Sequence, residues 1–163
     1  MTETCAIALT INGREHRLSV APSLTLADLL RDQLGLTGTK VSCDQSVCGA
    51  CTVLIDGRPV AACTEFAFQA DGRSITTIEG LAKTPAELHP IQAAFIEASA
   101  FQCGFCTSGM ILLLKSLLDR NPDPDEATLR EWVSCNICRC TGYEVILDAA
   151  RLAAKAQRTA AAS

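Results

Sequence analysis

The spacing of its cysteines constrains this chain more than any other feature. Ten occur among 163 residues, and eight of them fall into two groups. Cys43, Cys48, Cys51 and Cys63 are spaced C-x4-C-x2-C-x11-C, and Cys103, Cys106, Cys138 and Cys140 are spaced C-x2-C-x31-C-x-C; Cys5 and Cys135 are left over. A disulfide framework suits short secreted chains that cannot bury a sufficient core. Here Met1 to Ala6 hold no basic stretch followed by an apolar one, so no secretory signal is read and a cytoplasmic location is expected. A chain of this length can also bury a core without covalent staples. Metal ligation is the better account of so many thiols in a reducing compartment.

Zinc and iron–sulfur are the two candidates. Structural zinc sites pair two short cysteine knuckles, whereas the first group sets three cysteines on one loop and the fourth a strand away. That is the plant-type [2Fe–2S] spacing: three thiolates on a tight loop reach two iron atoms and the fourth closes the far side. Gly49 and Ala50 are small enough for backbone N–H groups to approach the sulfides. The second group stands as C-G-F-C and C-R-C, each before a helical run, so two helix N-termini would aim free N–H groups at its thiolates. Spacing alone leaves this group open between a four-cysteine zinc site and a second iron–sulfur centre. The first group tips the balance, because two adjacent redox centres make a wire.

Composition fits a soluble globular protein, at 48% apolar and 20% charged residues. The net charge of −4 argues against nucleic acid as a partner. The longest apolar stretch, Gly109 to Leu114, is far short of the ~20 residues that span a bilayer. Asn12-Gly13 between two alternating runs predicts a hairpin over 5–20. Ser23 or Thr25 then caps a helix over 24–34 that ends at Gly35. Strands over 52–56 and 60–63 make a second hairpin, and 74–78 a last strand. After about Gly80 strand-like segments stop. Helices are predicted over 90–100, 107–120, 125–133 and 143–155, with the residues from Ala156 frayed or resting on a partner. The expected fold class is α+β: a cluster-binding domain over 1–80, a linker over 81–89 and a helical domain over 90–163. Cys5 reads as a small buried hydrophobe, His16 and His89 carry no ligand signal, and the acidic stretch from Asp119 to Glu126 reads as solvated helix ends.

Val47-Cys-Gly-Ala-Cys-Thr-Val53, Gln102-Cys-Gly-Phe-Cys-Thr-Ser-Gly-Met110 and Asn136-Ile-Cys-Arg-Cys-Thr-Gly-Tyr143 together resemble the small iron–sulfur subunit of xanthine oxidase family molybdenum hydroxylases. The resemblance runs from about Ala6 to Ala154. It implies a plant-ferredoxin-like β-grasp domain followed by an all-α four-helix bundle, each with one [2Fe–2S] cluster. It implies Cys43, Cys48, Cys51 and Cys63 as ligands of a cluster facing flavin, and Cys103, Cys106, Cys138 and Cys140 as ligands of a cluster beside the pterin. Gln102 matches the family's pterin-contacting glutamine, and Cys140 the cysteine through which pterin and cluster communicate. The implied partners are a large molybdopterin subunit, usually carrying the cytosine dinucleotide, and a medium FAD subunit. The implied activity is electron transfer within a complex that oxidises an aromatic, N-heterocyclic or aldehyde substrate with water as oxygen source. No bond chemistry is expected on this chain.

Four positions depart from the family pattern. Ser42 and Ser46 stand where glycines are common, Ser108 where proline follows the threonine, and Cys135 where glycine precedes the asparagine. None removes a ligand. A positive φ at Ser46 would strain the loop by about 1 kcal/mol, and Cys135 adds a fifth thiol expected to crowd the second site. Two other functions compete with the relay: a free-standing ferredoxin-type carrier and a zinc-stabilised binding module.

Overall fold

The computed structural model describes residues 3–161 apart from 83 and 85. β1 (Cys5–Ile11) and β2 (Arg14–Val20) form the expected hairpin, with Ile7 opposite Leu18. Asn12 and Gly13 take φ of 51° and 80°, the left-handed pair whose twist suits a two-residue hairpin. Thr25 caps the helix that follows: its Oγ1 accepts the Asp28 N–H at 3.1 Å. This helix is shorter and wider than predicted. α1 (Leu26–Asp28) runs into a π-helical turn over Leu29–Gln33, so that Leu26, Leu29 and Leu30 all reach 0% exposure beneath the sheet.

The second hairpin comprises β3 (Thr52–Ile55) and β4 (Arg58–Ala61). Its turn is tighter than predicted, because Asp56 (φ 48°) and Gly57 (φ 75°) supply the left-handed pair and β4 begins at Arg58. Cys63 therefore lies just past the strand. β5 (Ser74–Thr76) runs parallel to β1 and antiparallel to β3, giving the order β2-β1-β5-β3-β4.

The second half holds α2 (Pro90–Glu97), α3 (Thr107–Arg120), α4 (Glu126–Ser134) and α5 (Glu144–Ala161). α2 stops earlier than predicted, where Ser99 turns left-handed at φ 50°. α5 runs past the predicted fraying point: Gln157 Nε2 donates to the Leu118 carbonyl at 3.3 Å, and Arg158 pairs with Asp123. Phe95, Met110, Leu112, Leu114, Ile146 and Leu147 fill the core between these helices. The predicted linker over 81–89 starts at Leu81, which is buried in that core, and it includes Lys83 and Pro85, outside the described residues.

β3 joins the two halves. Strand geometry sends alternate side chains to opposite faces, so Val53 and Ile55 enter the core beneath the sheet while Leu54 enters the helical core beside α3. Both faces being covered, all four β3 residues are buried. Ser116 Oγ and Arg120 Nη2 of α3 both donate to the Gly57 carbonyl, at 3.0 and 3.1 Å, and fasten the helix to the hairpin turn. No helix among the described residues is long and apolar enough to cross a membrane.

Candidate metal centres

The loop from Gly38 to Cys51 winds through three left-handed residues, Asp44 (φ 55°), Ser46 (φ 57°) and Gly49 (φ 70°). Such winding turns successive N–H groups inward. The amides of Gln45, Val47 and Cys48 each donate to Cys43 Sγ at 3.4 Å. These bonds, with that from Cys48 the strongest, pull the Cys43 thiol down to about 6, so the loop is built to hold a thiolate. Cys51 is the opposite case: burial pushes its thiol up to about 12. The thiols lie in two pairs, the Cys48 thiol near enough to shift Cys43 and the Cys63 thiol near enough to shift Cys51, and Cys48 also acts electrostatically on Cys51.

The second group gathers in the same way. Cys106 is the N-cap of α3, while Cys138 and Cys140 lie on the loop before α5. Cys140 Sγ is 3.6 Å from Cys103 Sγ, and the Cys138 thiol is near enough to Cys106 to raise it. Burial pushes Cys106 up to about 12. Burial also pushes Cys138 up, but the Thr141 hydroxyl at 3.1 Å and neighbouring N–H donors outweigh it and hold the thiol below its ordinary value. Cys140 is raised by the thiol of Cys103 beside it. The Cys138 N–H donates to Tyr143 Oη at 2.9 Å, fixing the C-R-C loop. α3 begins directly after Cys106, whereas Thr141 to Tyr143 lie between Cys140 and the first residue of α5.

The outer edge of the second group faces solvent. Cys103, Cys140, Gln102 and Arg139 are exposed. Phe101 and Phe105, at 43% and 44% exposure, flank Gln102 and Cys103 in the chain. The inner edge faces the first loop: the Ile137 N–H donates to the Cys48 carbonyl at 2.8 Å, so one hydrogen bond separates a residue of one thiol group from the neighbour of Cys138 in the other. Ser108 Oγ donates to the Gly38 carbonyl at 2.7 Å, a link that proline at this position would lack. Cys135 is exposed. It caps the C-terminus of α4, its Sγ meets the Glu131 carbonyl at 3.5 Å, and it lines a cleft with Ser46, Gly49 and Thr52. It thus stands beside the first loop. Cys5 is half-buried on β1, and His89 caps α2 by accepting the Ile91 N–H.

Three features were missed from sequence. Gly109 of α3 lies against the Gly49 carbonyl, and Gly49 lies against the Asn136 carboxamide, so neither glycine has room for a Cβ. An isolated glycine inside a helical pattern is the one signal that pointed there. The third is a set of orphans. The buried side-chain N and O atoms without a partner among the described residues are Thr39 Oγ1, Thr107 Oγ1 and Asn136 Nδ2, and all three flank cysteine loops. Buried polar groups are rarely left unpaired in a complete protein.

Among the described residues no set of three or more His, Cys, Asp or Glu side chains closes on a single metal ion. Four thiols in two pairs are instead the donor set of a binuclear centre, in which each iron takes two. A thiolate cradled by three amides and orphaned polar atoms beside each loop fit such a group.

Residues 9–76 match the family described as "2Fe-2S iron-sulfur cluster binding domain", and residues 77–151 match "[2Fe-2S] binding domain". The chain is 50% identical over 142 residues to a probable xanthine dehydrogenase component of Bacillus subtilis, covering 87% of this chain and 81% of the relative. It is 46% identical to the "Nicotinate dehydrogenase small FeS subunit" of Eubacterium barkeri, covering 90% and 93% of the two chains. In the crystal structure of quinoline 2-oxidoreductase from Pseudomonas putida 86, a chain 47% identical in sequence superposes with a TM-score of 0.90, with 96% of this chain and 97% of that one covered. The chain belongs to the family of small iron–sulfur subunits of xanthine oxidase-type molybdenum hydroxylases, which are electron-transfer parts of oxidoreductase complexes.

Proposed function

We propose that this chain relays single electrons within a molybdenum hydroxylase complex, between a large molybdopterin subunit and a flavin or other acceptor. Cys43, Cys48, Cys51 and Cys63 would hold one [2Fe–2S] group in a β-grasp domain, and Cys103, Cys106, Cys138 and Cys140 the other in a four-helix bundle. Each group supplies a one-electron couple when bound. The observation that carries this reading is the pairing of thiols in two groups of four, joined by the Ile137 N–H bond to the Cys48 carbonyl at 2.8 Å.

The chain's own residues have defined tasks. The amides of Gln45, Val47 and Cys48 neutralise charge on Cys43 Sγ. Buried Cys51 and Cys63 keep water from one side of the first group. Exposed Gln102 and Cys140 would meet the pterin, usually the cytosine dinucleotide, with Phe101 and Phe105 giving the large subunit apolar anchor points. The first loop would face a medium FAD subunit. The substrate class carried over from the relatives is an N-heteroaromatic or aldehyde compound, oxidised in the cytoplasm on the partner subunit.

Cys106→Ser in the assembled complex tests this. It should disturb only the centre of the second group, abolish reduction by substrate, and spare the electron paramagnetic resonance signal of the first. Substrate reduction continuing at its normal rate would overturn the assignment.

A further inference from the structure

We infer that the Asn136 carboxamide donates a hydrogen bond to the iron–sulfur group of the Cys43 loop, so that a residue of the C-R-C segment sets the potential of the neighbouring centre. This rests on the ligand assignment proposed above and goes beyond it. Asn136 is 2% exposed, and its Nδ2 is closed to water and without a hydrogen-bond partner among the described residues. Its carboxamide fills the space where a Gly49 Cβ would stand, Oδ1 nearest and Nδ2 at 3.0 Å from that point, which sets it against the backbone between Cys48 and Cys51. Two contacts hold it there. The N–H of the next residue, Ile137, is bonded to the Cys48 carbonyl at 2.8 Å, and α3 backs the loop where Gly109 meets the Gly49 carbonyl.

The carbonyl of the residue packed against the carboxamide is already engaged. The Gly49 carbonyl accepts the Thr52 N–H at 3.1 Å and the Thr52 hydroxyl at 2.7 Å. A buried amide donor without water and without a protein acceptor is destabilising, and natural chains rarely keep one without a reason. Three cysteines on this loop and a fourth just past β4 make sulfur the acceptor chemistry at hand. An N–H bond to sulfur favours the more negative, reduced state, and hydrogen bonds to cluster sulfurs are a principal control of potential. Asn136 is therefore a positioning and tuning residue carried by one half of the chain for the centre held by the other.

The test uses the intact chain purified with its iron and sulfide, in a redox titration followed by electron paramagnetic resonance. Asn136→Leu, which matches the side chain in size but has no donor, should make the first centre harder to reduce. Its reduced-to-oxidised ratio at a fixed potential should fall about tenfold, equal to ~59 mV for a one-electron couple, with the second centre unmoved. A second readout needs no variant. In the wild-type chain grown with asparagine labelled by 15N in its side-chain amide, pulsed resonance on the first centre's signal should show a 15N coupling. Neither of the other asparagines, Asn12 and Asn121, lies near a cysteine in the chain. Absence of that coupling, a shift confined to the second centre, or a loss of thermal stability with both potentials unchanged would overturn the inference while leaving the ligand assignment intact. A wild-type chain with no iron–sulfur signal would instead overturn the assignment itself.

Discussion

Ser46 holds a left-handed backbone at φ 57° in the middle of the first cysteine loop. A Cβ makes that conformation costly, by ~1–2 kcal/mol, while glycine adopts it freely and gives back part of the gain through its floppier unfolded chain. Ser46→Gly should therefore raise stability by up to about 1 kcal/mol, seen as a higher denaturant midpoint with unchanged slope; a lower midpoint would show that the serine hydroxyl matters more than the strain. This residue was legible in the sequence because it interrupts a spacing whose geometry is known. Ser42, the other serine at a glycine-like position, takes no positive φ and carries no such strain. Asn136, Thr39 and Gly109 were not legible. Their roles depend on which loop packs against them, and that contact is made by residues far away in the chain.

At the scale of elements, patterns with strong local chemistry were readable. The Asn12-Gly13 hairpin and the bounds of α3 appear as expected. The misses lie where tertiary packing decides. The π-helical turn over Leu29–Gln33 has no local signature, and α5 keeps its last turns because Gln157 and Arg158 find partners on Leu118 and Asp123. The seam between α3 and the first loop can be tested directly. Gly109→Ala would drive a Cβ into the Gly49 carbonyl, which is backbone and cannot swing aside. Overpacking of this kind costs ~1–3 kcal/mol, so the variant should lose thermal stability and bind less iron at the first site, measured by metal analysis and visible absorbance. Full iron content with unchanged melting would contradict the close approach.

α4 and α5 are tied through Glu126, which accepts two hydrogen bonds from Arg151, at 2.7 and 3.1 Å, and pairs with Arg130. The Arg151 bond holds the Glu126 carboxyl below the ordinary carboxylate range, with Arg130 adding to the effect. A carboxyl lowered on folding stabilises the fold above its unfolded pKa, and the contribution disappears as pH falls through the lower folded value. Glu126→Gln should thus lower stability at neutral pH and flatten the acid limb, converging on wild type as pH falls. The difference from wild type should shrink in high salt, because the pair is exposed and screened. An acid limb identical to wild type would show that the network contributes nothing.

The molecule as a whole is two halves that share one strand and one seam. β3 serves both cores, and the seam holds Gly49, Gly109, Asn136 and the Ile137 bond to Cys48. The division into a sheet half and a helical half was visible from where strand-like alternation stops, and the two thiol groups from their spacing. The fit of one half against the other was not, since it depends on the absence of side chains at two glycines. That fit joins the loops of the two thiol groups, which is what the proposed relay needs and a free-standing carrier or a zinc module does not.

The central claim, that the eight clustered cysteines hold two distinct [2Fe–2S] groups, is tested most directly on the intact chain purified without air and reduced with dithionite. Metal analysis combined with low-temperature electron paramagnetic resonance should give about four iron per chain and two distinguishable signals of about one spin each. A colourless chain with stoichiometric zinc, or a single signal with about two iron per chain, would contradict it.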